Sequence, residues 1–153
     1  MRPSKDEYYL NIANAVAGRG TCLRRNYGAV IVKDDCIVST GYTGSAKGTA
    51  NCCNKNVCKR NELGIIAGER YDLCVSVHGE MNAIIHADYF KMRDSVLYLE
   101  GIVKGTGKIC DNTPPCYLCR RFIINAGIKK VITRNEEGFI KEWIVDDWVK
   151  EGA

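Results

Sequence analysis

Both histidines of the chain lie in the stretch SVHGEMNAIIHA, residues 76–87, and a glutamate stands two positions after the first. The imidazole of His78 can bind a transition metal, and the carboxylate of Glu80 can exchange protons with water. The pair alone is weak evidence of a site, because such residues also occur at the start of ordinary amphipathic helices. A metal site at His78 therefore requires further ligands elsewhere in the chain.

The segment PPCYLC offers two such ligands, Cys116 and Cys119. One imidazole and two thiolates leave a fourth tetrahedral position for water, which is the arrangement of catalytic zinc. Both motifs are predicted to open helices, whose N-terminal partial positive charge favours thiolates. Glu80 is placed to take a proton from the zinc-activated water and to hand it to a leaving amine. The joint pattern H-x-E…P-C-x-x-C matches the signature of zinc deaminases.

The second histidine, His86, is predicted to be a surface side chain of the same helix. It follows His78 at a distance of about 12 Å along a helix that rises 1.5 Å per residue. The two histidines therefore cannot bind one zinc ion.

The elements that position these residues follow from apolar periodicity and turn signals. A first helix begins after Ser4, which forms a capping-box pattern with Glu7, and ends at Gly18. The later predictions are a hairpin of strands 27–32 and 37–40, a helix from about Gly79, a strand at 95–99, a helix from Pro114 to Gly127, a strand at 130–133 and a helix at 139–149. The second helix is predicted to bury Met81, Ile84, Ile85 and Tyr89, and the third Cys119, Phe122, Ile123 and Ala126. This order predicts an α/β fold, a mixed sheet with helices on both faces.

Composition sets limits on the class of protein. The chain has 153 residues, 46% hydrophobic and 26% charged, which predicts one globular domain over residues 1–153 with a cysteine-rich insertion at about 44–75. The net charge of +4 suits an anionic small ligand and falls short of a dedicated nucleic-acid binder. Neither a signal peptide nor a membrane span is expected from the sequence. Nine cysteines, an odd number, then favour a reduced cytoplasmic protein with thiolate ligands.

The chain resembles the deoxycytidylate (dCMP) deaminase family of the cytidine deaminase-like superfamily. The resemblance runs from about Thr21 to Thr133 and includes TCLRRNYGAVIV, STGYTG, GERYDLCVSVHGEMNAI, PPCYLC and IINAGIKKVI. It implies a three-layer α/β/α fold around a mixed sheet of about five strands. It also implies zinc held by His78, Cys116 and Cys119, with Glu80 as proton shuttle. The implied reaction is hydrolysis of the 4-amino group of a cytosine nucleotide, with dCMP as the first candidate.

Several positions depart from the family pattern and leave the substrate open. Thr43 stands where relatives have an asparagine that contacts the nucleotide, and Gly79 stands where they have alanine. Gly79 is expected to offer its backbone N–H to the base and to enlarge the pocket by a methyl group. The alternative substrates are therefore another base, nucleoside or nucleotide, such as a purine or modified pyrimidine. For the phosphate, Arg24 is the first candidate, ahead of Lys47.

A second metal site is predicted among the other cysteines. A loop of some 30 residues without secondary structure is uncommon inside a compact domain, and some dCMP deaminases carry a second, structural zinc. The predicted ligands are Cys22, Cys52, Cys58 and Cys74, with Cys53 as a substitute for Cys52. The alternative is that these are scattered buried thiols that behave as small apolar groups.

The sequence leaves two alternative functions, and the family resemblance bears on the oligomeric state. A tRNA-editing deaminase shares the signature, but the modest charge argues against it. A non-catalytic nucleotide sensor would not need Glu80. The resemblance also implies a homo-oligomer, in many relatives a hexamer, and for some relatives activation by dCTP and inhibition by dTTP. Because residues 41–47 depart from the family pattern, that regulation is not carried over to this chain.

Overall fold

The computed structural model of the protein describes residues 1–152. Its strands are β1 (Arg25–Lys33), β2 (Cys36–Tyr42), β3 (Gly44–Ser45), β4 (Ser76–Val77), β5 (Val96–Val103), β6 (Lys130–Arg134) and β7 (Ile140–Ile144). Its helices are α1 (Lys5–Ala17), α2 (Cys52–Lys55), α3 (Lys59–Glu62), α4 (Gly79–His86), α5 (Tyr89–Met92), α6 (Tyr117–Asn125) and α7 (Val145–Glu151), and a 3₁₀ turn covers Tyr71–Leu73.

A five-stranded sheet in the order β2-β1-β5-β6-β7 forms the centre of the fold. Strand β5 pairs antiparallel with β1 and parallel with β6, so the sheet is mixed as predicted. Strands β1 and β2 form the predicted hairpin, joined by Asp34 and Asp35. Both aspartates have positive φ, 49° and 60°, which is the backbone of the tight turns that match strand twist.

Helix α1 covers one face of the sheet and begins as predicted. The Ser4 hydroxyl accepts a hydrogen bond from the Glu7 amide at 3.2 Å, and the Glu7 carboxylate accepts one from the Ser4 amide at 2.7 Å. The two bonds satisfy orphan donors of the first turn and form the capping box. The buried side chains between this helix and the sheet are Tyr9, Leu10, Ala13, Val30, Val32, Tyr98 and Ile132.

The opposite face carries α4, α6 and α7, so the molecule has three layers. Successive strand residues point to opposite faces, and therefore Val30 packs toward α1 while Ile31 packs toward the other helices. Ala83 of α4, Ile123 of α6 and Trp148 of α7 belong to this second core. Within residues 1–152, no helix combines the length and apolar character needed to cross a bilayer.

The predicted helix at 139–149 is wrong over its first half. Residues 140–144 form β7, which pairs with β6 so that Trp143 lies opposite Val131, and the helix begins only at Val145. The Trp143 indole N–H donates to the Thr133 hydroxyl at 3.1 Å, which holds the strand against its neighbour. The sheet partner, which a local pattern does not reveal, therefore decides the conformation here.

Three side chains predicted to be buried are exposed: Ile85 by 68%, Tyr89 by 48% and Phe122 by 42%. Helix α4 spans only eight residues, and its buried face is formed by Gly79, Glu80 and Ala83. Ile85 lies two residues after Ala83 and so falls on the opposite side of the helix. Tyr89 belongs to the separate helix α5, which Asp88 caps.

Candidate active site

His78 is the residue that caps α4, directly after the short strand β4. Helix α4 approaches the sheet closely because glycines lie between them. A Cβ at Gly41 would lie 2.1 Å from the Ala83 amide nitrogen, and a Cβ at Gly79 would lie 2.6 Å from the Tyr27 carbonyl oxygen. Neither contact is possible for a real side chain without moving the backbone. The absence of side chains at these glycines therefore sets the position of His78 over the sheet.

This placement corrects the interpretation of Gly79. Its missing methyl group faces the main chain of β1, and Gly79 is not among the residues that line the cavity. The glycine therefore permits close packing rather than enlarging a pocket. The proposed contact between its backbone N–H and a base remains a prediction.

Cys116 and Cys119 open α6 in the same way that His78 opens α4. Cys116 caps the helix, and its Sγ accepts a hydrogen bond from the Cys119 amide at 3.5 Å. The His78 Nδ1 lies 3.2 Å from the Cys119 Sγ and 3.6 Å from the Cys116 Sγ. Within residues 1–152, this is the one group of three His, Cys or acidic residues whose ligand atoms all lie within 4.8 Å of one another.

The three donors fit a zinc ion. Bonds of ~2.0 Å to nitrogen and ~2.3 Å to sulfur place tetrahedral ligands roughly 3.5–4 Å apart. The observed separations of 3.2 and 3.6 Å are close to that spacing. One imidazole and two thiols are also the donor chemistry that zinc prefers, and three protein ligands leave one position open.

The site favours the ligand form of Cys116. Its pKa is lowered to about 4, because the Cys119 thiol and the His78 ring hydrogen-bond to its thiolate. The same contact with Cys116, together with burial, raises the pKa of Cys119, since two adjacent thiolates repel each other. The pKa of His78 is raised, chiefly by its hydrogen bond to Cys116 and against the effect of burial. Zinc, with its double positive charge, offsets this repulsion between thiolates.

Glu80 lies in the first turn of α4, and only 5% of its surface is exposed. Burial raises the pKa of its carboxyl group, and the nearby His78 opposes that rise. A carboxylate with a raised pKa is better matched to proton transfer near neutral pH than a solvated one. The structure therefore places a buried carboxyl group next to the predicted ligands.

These residues line one side of a cavity of about 420 Å³. His78, Glu80 and Cys116 lie on its wall, together with the predicted substrate contacts Arg24 and Thr43. The Thr43 hydroxyl accepts a hydrogen bond from the Tyr27 amide at 2.9 Å, so the main chain of β1 already engages it. Lys47 is exposed and does not line the cavity.

His86 is a surface residue, as predicted. It is the last residue of α4 and is exposed, and its Nδ1 lies 2.8 Å from the Thr40 carbonyl oxygen.

Among the residues of the cavity wall that were not predicted, two lie beside His78 in the cysteine-rich segment (residues 44–75). The Tyr71 ring packs edge-on against the His78 ring with 4.9 Å between centroids. The Arg60 guanidinium lies over the Tyr71 ring, 4.9 Å from its centroid. The sequence has no period in this segment, so nothing in it indicated that Tyr71 packs on His78 or that Arg60 packs on Tyr71.

The cysteines of the predicted second site gather around Cys52. Burial raises the pKa of the Cys52 thiol, and so do the neighbouring thiols of Cys22, Cys58 and Cys74. Cys53 is exposed and points elsewhere. In the part of the chain described, residues 1–152, no three of these sulfur atoms come within 4.8 Å of one another. A second metal site therefore stays a prediction.

Comparison with known proteins agrees with this geometry. The profile of the cytidine and deoxycytidylate deaminase zinc-binding region matches residues 3–135. The deoxycytidylate deaminase of Mycobacterium phage D29 is 35% identical over 140 residues, covering 88% of this chain and 98% of the phage protein. The deoxycytidylate deaminase of Schizosaccharomyces pombe is 33% identical over 133 residues, covering 86% of this chain. The chain spans 37% of the length of that yeast relative.

A solved structure extends the agreement to three dimensions. The dCMP deaminase of cyanophage S-TIM5, crystallised with dCMP and dUMP, superposes with a TM-score of 0.59 at 26% sequence identity. The match covers 88% of this chain and 84% of the cyanophage protein. The profile match, in turn, spans α1, the sheet as far as β6 and both zinc motifs. The chain therefore belongs to the cytidine and deoxycytidylate deaminase family.

Proposed function

We propose that the protein hydrolyses dCMP to dUMP and ammonia with one zinc ion held by His78, Cys116 and Cys119. The observation that carries this proposal is the group of three ligand atoms within 4.8 Å of one another beside the buried Glu80, on the wall of one cavity. The similarity to the phage and yeast deoxycytidylate deaminases supports dCMP as the substrate. So does the cyanophage relative, which was crystallised with dCMP and dUMP.

The residues of the chain divide the work of the reaction. Zinc, when bound, lowers the pKa of a water molecule and makes it a nucleophile near neutral pH. Glu80 takes the proton from that water on its carboxylate oxygen and delivers it to the amino nitrogen, which leaves as ammonia. One water is consumed, the carbon–nitrogen bond at position 4 breaks, and a carbonyl replaces it. Tyr71 packs edge-on against His78 and keeps the imidazole plane fixed.

The substrate is tested by ammonia release from the zinc-loaded protein with dCMP, CMP, deoxycytidine, dCTP, AMP, GMP and free bases. We expect dCMP to have the highest kcat/KM. A second candidate, another nucleotide or base, is favoured by one observation: the Thr43 hydroxyl is held by the Tyr27 amide and offers no amide to a sugar. Higher kcat/KM with a compound other than dCMP would assign that compound instead.

We further propose that Cys22, Cys52, Cys58 and Cys74 bind a structural zinc ion. Cys52 is buried and Cys53 is exposed, so Cys52 is the better ligand of the two. Cys58 caps α3, and Cys74 follows the 3₁₀ turn Tyr71–Leu73. An ion at this place would tie together both arms of the cysteine-rich segment. It would also account for the order of a segment with few apolar residues.

We also propose that copies of the chain associate. Large apolar side chains are exposed on three helices of the molecule: Ile85 by 68%, Phe90 by 79% and Tyr117 by 69%. Apolar side chains that lie together in one exposed patch mark interaction sites, and association of copies would bury these three. Light scattering after gel filtration should give a mass above that of one chain, and Phe90→Asp should lower it. A monomeric wild-type protein would overturn this proposal.

A further inference from the structure

We propose that Arg60 is the residue that binds the substrate's phosphate, an inference that rests on the proposed function and names the group that recognises a nucleoside monophosphate. Arg60 comes from α3 in the cysteine-rich segment and not from the region that the motifs single out. It lines the same cavity as His78 and Glu80.

The guanidinium of Arg60 is a buried charge without an acidic partner. Only 8% of the residue is exposed. Across residues 1–152, no aspartate or glutamate forms an ion pair with it. One of its terminal nitrogens donates to the Ile66 carbonyl oxygen at 3.0 Å, but its buried Nε has no partner. A buried, unpaired cation is costly, and an anionic ligand removes that cost.

The position of Arg60 suits a nucleotide bound at the zinc site. The guanidinium lies 4.9 Å from the Tyr71 ring, and that ring lies 4.9 Å from the His78 ring. The distance from the Arg60 guanidinium to the centre of the His78 ring is therefore no more than the sum of those two distances. A cytosine nucleotide separates its 4-amino group from its 5′-phosphate by the full width of the pyrimidine ring and one sugar ring, a span of the same order.

Arg60 also differs from the other arginines of the cavity. Arg24 is half-buried and Arg25 is exposed, so water competes for both. The Arg60 guanidinium lies over the Tyr71 ring and donates to the Ile66 carbonyl oxygen, and these two contacts restrict its position before a ligand arrives. Planar guanidinium groups bind phosphate with two parallel hydrogen bonds.

The test compares dUMP with deoxyuridine by isothermal titration calorimetry on zinc-loaded wild-type protein and on Arg60→Gln. Glutamine keeps an amide N–H for the Ile66 carbonyl oxygen but removes the charge. We expect Arg60→Gln to raise the Kd of dUMP by about 10- to 100-fold and to leave the Kd of deoxyuridine unchanged. The matched control is Arg70→Gln, because Arg70 lies in the same segment, is exposed and pairs with Asp72. This control should leave both ligands unchanged.

The outcomes separate the possible failures. If Arg60→Gln weakened the binding of dUMP and of deoxyuridine equally, Arg60 would only support the fold, and the inference would fall. The inference also falls if Arg24→Gln weakens dUMP selectively while Arg60→Gln does not. If dUMP binds through Arg60 but dCMP is not deaminated, the proposed function fails while the phosphate site stands. Should Arg60→Gln not fold, Arg60→Lys serves the same comparison, because it loses the bidentate fork but keeps the charge.

Discussion

The chemistry of the site depends on where single side chains are held. Glu80 is buried in the first turn of α4, two residues from one predicted zinc ligand and on the wall of the same cavity. It is not a member of the group of ligand atoms that fits a metal ion, so its carboxylate is free to carry protons. The separation of metal binding from proton transfer can be tested directly.

Glu80→Gln should keep zinc and lose turnover. Glutamine has nearly the same shape and leaves His78, Cys116 and Cys119 in place, but it cannot accept a proton. We expect kcat for dCMP to fall by about 10²- to 10⁴-fold, the usual contribution of a general acid–base group. The measurements are ammonia release and zinc content by elemental analysis. Full activity in this variant would refute the assigned role, and loss of zinc would make Glu80 part of the metal site.

Thr43 has a structural role besides the substrate contact, which stays a prediction. Its hydroxyl accepts a hydrogen bond from the Tyr27 amide at 2.9 Å, and only 7% of the residue is exposed. Thr43→Val should therefore leave a buried amide without a partner and lower the free energy of unfolding by about 1–3 kcal/mol. Thr43→Ser keeps the hydroxyl, so its free energy of unfolding should fall by clearly less. Urea denaturation of both variants gives the comparison, and equal losses would show that the methyl group matters instead.

At the scale of elements, local signals predicted much of the fold. The Ser4 capping box, the hairpin of β1 and β2 and the opening of α6 at Cys116 each depend on neighbouring residues, and all three are confirmed. The strand β7 was not predicted because its hydrogen-bond partners lie in β6, away from its own local pattern. Ile85 was misplaced for a related reason: a short helix buries only a narrow face.

In the candidate site, too, local features could be predicted and contacts between distant parts of the chain could not. That His78, Cys116 and Cys119 come together could be predicted, because His78 and Cys116 each open a helix and the spacing within each motif is local. The packing of Tyr71 on His78 and of Arg60 on Tyr71 could not be predicted, because it depends on how the cysteine-rich segment folds back against the rest of the chain. Strands β3 and β4 pair at the two ends of this segment, so β4 delivers the chain directly into His78. The segment is thus a wall of the active site.

The cysteine-rich segment should depend on its own metal ion. We expect purified protein to contain two zinc ions per chain and Cys58→Ser to contain one, because it removes a predicted ligand of the second ion. The Cys58→Ser variant should also unfold at a lower temperature. The matched control is Cys53→Ser, since Cys53 is adjacent to Cys52 but exposed. One zinc ion per chain in fully active wild-type protein would rule out the second site.

At the scale of the whole molecule, the predicted zinc site joins two helices of one layer that are far apart in the sequence. His78 caps α4 and Cys116 caps α6, and both helices pack on the same face of the sheet. A metal ion that binds the folded chain and not the unfolded one stabilises the fold by mass action. Its ligands must be brought together by folding, so binding energy at this site becomes folding energy.

The two histidines of the chain make this coupling measurable. Zinc at about 1,000 times its Kd should stabilise the metal-free protein by about 4 kcal/mol, seen as a rise in the thermal midpoint. His78→Ala should lose the part of this rise that the catalytic site contributes, because it removes one of the three ligands of that site. His86→Ala should retain it, since His86 is exposed and contacts only the Thr40 carbonyl oxygen among hydrogen-bonding groups within residues 1–152. Differential scanning calorimetry with and without zinc provides the comparison. If His78→Ala kept the full rise, zinc would stabilise the fold from a site other than the one at His78.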